Sequence, residues 1–178
     1  MMQRVGEYHW ADMDGYKMIE LPYKGDRLVM QILLPDGGIP LTVIEENLKF
    51  EDIELLFRRR QIRGMVMLKI PKFKAGGTIP LTKYLTNLDM SEMFGSNSNL
   101  SGIDGTRDLY VSKVMHHVLI EVNEEGTEAA AASAAVCKLR CEPERPVEFR
   151  VDKPFVFLIR DRLTGILLFL GRVRYPSE

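Results

Sequence analysis

Two thiols, one arginine between them and an alanine-rich run are the residues whose chemistry stands out. Cys137 and Cys141 are four positions apart, with Leu139 and Arg140 among the residues between them. In an extended backbone their α-carbons would lie ~13 Å apart. A disulfide needs less than ~7 Å, so a bridge between them would bend the segment sharply. Two ordinary exposed thiols are the plain reading, and a redox-sensitive bend or a bond to another chain is the alternative. A four-ligand zinc site would need help from histidine. His9 stands alone and His116–His117 are adjacent, so in a strand they face opposite ways; no metal is expected. Neither Ser133 nor Cys141 has an assignable base nearby, which argues against a nucleophilic enzyme.

The elements that must carry these residues read as strands for the most part. Runs rich in Val, Ile, Phe and Tyr extend from Tyr16 to Tyr23, Leu28 to Leu34, Ile62 to Ile70 and Leu109 to Val122. The first two flank Lys24-Gly25-Asp26 and predict a hairpin. Phe155 to Ile159 and Ile166 to Val173 flank a second turn and are almost continuously apolar, which predicts burial of both faces. Helical spacing is confined to Leu41–Leu48, with Thr42 as a cap, to Phe50–Arg59, and to Leu81–Leu88. The class expected is α+β, rich in antiparallel sheet.

Composition excludes several functions. The chain has 178 residues, a net charge of −1, 46% apolar residues and 28% charged ones, the profile of a chain that buries a core. Near-neutral charge calls for neither nucleic acid nor an anionic membrane as partner. The longest apolar run, Ile166 to Leu170, is far short of the ~20 residues a spanning helix needs, and the N-terminal residues lack the apolar core of a signal peptide. From Leu55 to Lys74 there are seven basic residues and no acid, including Arg58, Arg59, Arg60 and Arg63. A solvated face is the ordinary reading and a polyanion site the alternative. Asn99-Leu100-Ser101 is a glycosylation sequon.

The segment after Val122 fits neither pattern. It reads Asn123-Glu124-Glu125-Gly126-Thr127-Glu128, then Ala129-Ala130-Ala131-Ala132-Ser133-Ala134-Ala135-Val136. Alanine favours helix, yet no large apolar residue recurs to dock such a helix. Composition alone leaves open an exposed Ala-rich helix or linker, or a segment whose side chains must stay small because it enters a packed place.

Glu124 to Ser133 resembles the hinge of the reactive loop in inhibitory serpins. Val151-Asp152-Lys153-Pro154-Phe155-Val156-Phe157-Leu158-Ile159 is similar to the signature after that loop, and Gly165 to Val173 to the closing core strand. Leu21-Pro22-Tyr23, Ile32 to Asp36, Ile70-Pro71-Lys72-Phe73, Asn99 to Ile103 and Val111 to His116 match in family order. The resemblance covers the whole chain and implies the C-terminal part of a serpin fold: mostly antiparallel sheets B and C, part of sheet A, short helices and an exposed reactive-centre loop, the N-terminal part being absent. The expected organisation is one partial domain over 1–178, with hinge and loop at 123–146.

What the resemblance implies, for the full-length parent, is a serine-type endopeptidase inhibitor that is not itself an enzyme and needs no cofactor; the fragment alone is expected to be inactive. The protease cleaves the loop as a suicide substrate, the hinge inserts into the main sheet, and the protease is trapped covalently. Small side chains at Ala129–Ala132 and Ser133 would pass packed surfaces without a steric barrier, Gly126 would pivot, and Thr127 would bury no charge; Glu125 and Glu128 complete the hinge. The family's usual spacing from the hinge glycine puts Arg140 before the scissile bond and Cys141 after it, which suits the acid-floored pocket of trypsin-like serine proteases. A slipped register would instead nominate Leu139 and chymotrypsin-like targets; a cysteine protease is a further possibility. Glu124 and Lys72 match a structural pair that steadies the loop's departure. His116 matches a shutter histidine, whose plain alternative is a hydrogen-bonded core residue. Heparin-like polyanions at Arg58, Arg59, Arg60 and Arg63 are a second partner class. Glycosylation at Asn99 and an extracellular, secreted setting complete the expectations. The alternative function is a non-inhibitory serpin that carries a ligand, acts as a chaperone or signals.

Overall fold

The computed structural model describes residues 1–13, 15–124 and 145–176. It divides into two compact units, Met1–Ala75 with Glu121–Glu178, and Gly76–Ile120.

The first unit is built on a seven-stranded sheet. Its strands are β1 (Met2–Met13), β2 (Tyr16–Pro22), β3 (Leu28–Pro35), β4 (Gln61–Ile70), β7 (Val147–Arg150), β8 (Phe155–Asp161) and β9 (Leu167–Val173), in the order β7-β4-β1-β2-β3-β8-β9. Every pairing is antiparallel except β4 with β7. The expected α+β class is present, with mostly antiparallel sheet. β1 escaped the sequence reading because its face alternates polar and apolar residues that never cluster: Gln3, Val5 and Glu7 are exposed, while Arg4, Gly6 and Tyr8 are half-buried.

Two short helices cover one face of this sheet. Ala11, Met18, Leu33 and Val156 form one cross-strand row on that face, and they share a core with Leu158, with Leu41 of α1 (Leu41–Asn47) and with Ile53 and Leu56 of α2 (Phe50–Arg59). α2 forms where the periodicity places it. Its first turn holds Glu51 and Asp52 and its last Arg58 and Arg59, charges that suit the helix dipole. Asp52 accepts the Lys49 backbone N–H at 3.0 Å and so closes the N-terminus. α1 departs from expectation: Pro40, not Thr42, precedes its first turn, because the fixed φ of proline is already suitable there.

The opposite face of the sheet is aromatic. Phe73 meets Phe155 edge-on at 5.3 Å and Phe157 at 5.5 Å. Expected burial of both final strands holds only for β8, all seven of whose residues are buried. β9 has Leu168, Phe169 and Leu170 exposed, because β8 is its one neighbour among the described residues. Gly171 in β9 lies under Phe157: a Cβ there would come 2.5 Å from the ring. Gly171→Ala is therefore expected to cost about 1–3 kcal/mol through overpacking, read as a lower urea midpoint; an unchanged midpoint would mean that the ring has room to shift.

Strands β5 (Phe73–Pro80) and β6 (Met115–Val122) pair in a two-stranded sheet. β5, with two adjacent glycines and few β-branched residues, gave no strand signal. β6 is shorter than the expected run from Leu109, and residues 109–114 are irregular. A Cβ on Gly76 would lie 2.4 Å from the Val118 carbonyl oxygen, so the strands close this tightly only over glycine. The second unit also holds α3 (Thr82–Asn87), α4 (Ser101–Asp104) and a 3-10 turn at Glu92–Phe94. No helix among the described residues is long and apolar enough to cross a membrane.

Candidate functional site

The structure defines the two ends between which residues 125–144 run. Glu125, Gly126, Thr127, Glu128, Ala129, Ala130, Ala131, Ala132, Ser133, Cys137, Leu139, Arg140 and Cys141 lie outside the described residues, and the expectations attached to them rest on sequence.

At the departing end, β6 leads to Glu124. Lys72, in the short link between β4 and β5, places its Nζ 2.6 Å from Glu124 Oε2. Two residues on, Lys74 Nζ lies 3.1 Å from Glu121 Oε1. The lysines alternate with Phe73, whose ring is buried against Phe155 and Phe157, so the period of an extended chain turns the charges outward and the ring inward. The hydrogen bond from Lys72, first among its causes, holds the Glu124 carboxyl below its ordinary value of 4.5.

That depression has a testable sign. A lowered folded-state value means the pair's contribution is present above pH about 4.5 and is lost as pH falls through the lowered value. In Lys72→Met the Glu124 midpoint, followed by carboxyl NMR, is expected to rise toward the ordinary value. An unmoved midpoint would show that Lys72 does not set it.

At the returning end, the chain enters β7 through Arg145 and Pro146. β7 has four residues and pairs in parallel with β4, Met67 opposite Glu148 and Leu68 opposite Phe149. Phe149 and Val151 are buried, the Val151 N–H donates to the Lys69 carbonyl at 2.8 Å, and Lys69 Nζ meets Glu148 Oε1 at 2.6 Å. Sequence reasoning missed this anchor, since Lys69 and Glu148 are 79 positions apart and only the pairing of β4 with β7 joins them. The Lys69 hydrogen bond holds the Glu148 carboxyl down.

A buried carboxylate was also missed. Glu20 is 1% exposed and sits in the row His9, Glu20, Gln31, Leu158 on the face covered by α2. It accepts from Gln31 Nε2 at 3.1 Å, from Arg60 Nε at 3.3 Å and from Arg162 Nη2. Arg60 also stacks on Phe57 at 3.6 Å, and Arg160, itself paired with Glu54, stacks on that ring at 4.2 Å. The signal that could have found it is the acid of Met18-Ile19-Glu20-Leu21, a charge inside an apolar strand.

The remaining candidates are dispersed. Arg58 and Arg59 are exposed at the end of α2, but Arg60 turns inward to Glu20, which removes it from a polyanion face; the Arg63 side chain lies outside the described residues. His116 is exposed on β6 among the described residues. Asn99 is exposed and accepts a hydrogen bond from Ser101 Oγ at 2.7 Å. Among the described residues no group of His, Cys, Asp and Glu could hold a metal ion.

A mostly antiparallel seven-stranded sheet, a lysine–glutamate pair just after β6 and a short parallel edge strand, β7, define a class of protein. The family model Serpin (serine protease inhibitor) matches residues 1–176, and the chain belongs to the serpin family. It is 42% identical to intracellular coagulation inhibitor 1 of Tachypleus tridentatus, over 97% of this chain and 42% of that protein. With leukocyte elastase inhibitor A of Rattus norvegicus it shares 41% identity, over 90% of this chain and 44% of the relative. Its fold is similar to mouse protein-Z dependent protease inhibitor, with a TM-score of 0.74, 27% identity, 99% of this chain and 45% of that one. Uncleaved ovalbumin matches with a TM-score of 0.77 and 29% identity, over 96% and 43% of the two chains. The chain spans less than half the length of the curated relatives it matches.

Two expectations are corrected by these relatives. The extracellular, secreted setting is overturned, since two relatives from Tachypleus tridentatus are named intracellular coagulation inhibitors. Setting the chain apart from enzymes is also corrected. The family's description as serine protease inhibitor, and relatives named for inhibiting an elastase, tie such proteins to enzymes, on which their action is exercised.

Proposed function

We propose that this chain is the loop-bearing part of a protease inhibitor that acts as a suicide substrate for trypsin-like serine proteases. Residues 123–146 serve as hinge and reactive loop within a partial serpin domain, and Arg140–Cys141 is the scissile bond. The observation that carries the reading is the run Gly126 to Ser133, which has one charge at Glu128 and otherwise only small or uncharged side chains. It is followed by Arg140 at the family's usual spacing. Relatives named as inhibitors of an elastase and of coagulation support inhibition in general.

The chemistry follows from the composition of the loop. The protease serine attacks the Arg140 carbonyl carbon, the Cys141 amine leaves, and the acyl-enzyme persists if the freed strand inserts before water arrives. Insertion alternates side chains between the two faces of a sheet, and alanines cross a packed face with the least displacement of neighbours. The Lys72–Glu124 pair holds the point from which the strand would turn, and β7 holds the far end while the cut separates them.

The test joins the chain to the N-terminal part of a full-length serpin and incubates the product with trypsin. A covalent complex that survives SDS, with cleavage after Arg140 by mass spectrometry, is the expected result. Clean cleavage without a complex would move the reading to a non-inhibitory serpin. Arg58 and Arg59 remain the residues on which a polyanion contact would rest, with salt-dependent heparin retention as its measure.

A further inference from the structure

We propose that Asp36–Gly37, in the turn between β3 and α1, is a site of spontaneous backbone isomerisation to isoaspartate. The chemistry needs an aspartyl carboxyl within reach of the next residue's amide nitrogen and a following residue without a side chain to obstruct the approach. The Gly37 nitrogen bonds to Asp36 Cγ and loses its proton. The carboxyl hydroxyl departs with that proton as water, and a cyclic imide closes. Water then adds to either carbonyl, restoring aspartate or leaving the chain routed through the side-chain carboxyl.

Residues 36 and 37 are arranged for this step. The Gly37 N–H points at its neighbour's carboxyl, 3.0 Å from Asp36 Oδ1. Both residues are exposed, and Gly37 and Gly38 adopt φ of 59° and 85°, open to glycine without strain. A Cβ on either glycine would touch nothing within 4 Å, so both glycines stand clear of neighbouring side chains. The other oxygen, Oδ2, lies 3.5 Å from Lys17 Nζ.

A second Asp–Gly step in the same chain supplies the contrast. At Asp104–Gly105 the glycine N–H is taken by the Ser101 carbonyl at 2.8 Å, closing the last turn of α4. Both carboxyl oxygens of Asp104 are occupied by Thr106, Oδ1 by its N–H and Oδ2 by its hydroxyl, each at 2.9 Å. Identical sequence at the two steps is thus given opposite reactivity by local hydrogen bonding. Asp14–Gly15, a third such step, includes a residue outside the described ones.

The experiment ages the full-length protein in warm neutral buffer and maps peptides by mass spectrometry with electron-transfer fragmentation, which separates isoaspartate from aspartate. IsoAsp36 is expected to exceed isoAsp104 several-fold in the folded protein, and the two are expected to converge when the same sample is aged in urea. Asp36→Glu keeps the charge toward Lys17 and should remove the signal. Equal accumulation at both steps in the folded protein, a ratio that persists in urea, or a signal that survives Asp36→Glu would each overturn the proposal.

Discussion

Arg140→Glu, in the protein completed by an N-terminal part, is expected to lower the rate of trypsin inhibition by about 10²–10³-fold or more. Losing one partner of a desolvated charge-assisted pair costs roughly 2–5 kcal/mol, and the substituted carboxylate adds repulsion from the acid at the base of a trypsin-like pocket. Arg140→Lys, a point charge without the planar fork, should retain most of the rate. The measurement is the second-order rate constant for loss of trypsin activity, together with the yield of SDS-stable complex. Should Glu at 140 leave both unchanged, the scissile bond lies elsewhere, and Leu139→Glu with chymotrypsin becomes the comparison that locates it. Unfolding midpoints measured alongside, expected to stay where they are in both variants, separate a lost bait from a lost fold.

Glu20→Ala is expected to cost about 3 kcal/mol of folding stability, the lower end of what breaking a buried ion pair costs. The lower end applies because Arg60 and Arg162 keep about a fifth of their side-chain surface in water. Removing the carboxylate takes the shared acceptor of both guanidiniums and of the Gln31 amide at once, while Arg60 is still pinned over Phe57. Glu20→Gln, which keeps an acceptor but no charge, should cost less. Urea unfolding decides it: a loss below about 1 kcal/mol, the value of an ordinary net hydrogen bond, would mean that the arginines swing to solvent and the network holds little.

Much of the first unit was legible in one dimension because its signals are local. α2 announces itself through Ile53, Leu56 and Phe57 on one face and through its charged ends; β2, β3 and β8 through short apolar runs; and the hairpin at Lys24-Gly25-Asp26 through turn residues, with Gly25 at φ 86° and Asp26 at 56°. β1 and β5 were missed for the converse reason. Their residues form strands through the partners they meet: Gly76 by its closeness to Val118, and Val5 by lying opposite Met67. The overstatement of burial at β9 has the same origin, since an apolar run does not say how many neighbours it will find.

The residues of the site divide along a similar line. The hinge and the Arg140–Cys141 step lie outside the described residues. The pairing of Lys72 with Glu124 was readable from order along the chain, because a family's motifs are written in sequence. Lys69 with Glu148, and Glu20 with Arg60 and Arg162, were not, since an ion pair is a distance and its members here stand from 40 to 142 positions apart. Sequence by itself thus determined the family to which the chain belongs and the composition from which a bait segment is proposed, which are properties of residue order, side-chain size and charge. Only the tertiary structure decided what holds the two ends of that segment, which arginine is withdrawn from the surface and which Asp–Gly step is left open to its own backbone. Each of those depends on strand register and on the hydrogen bonds that register permits.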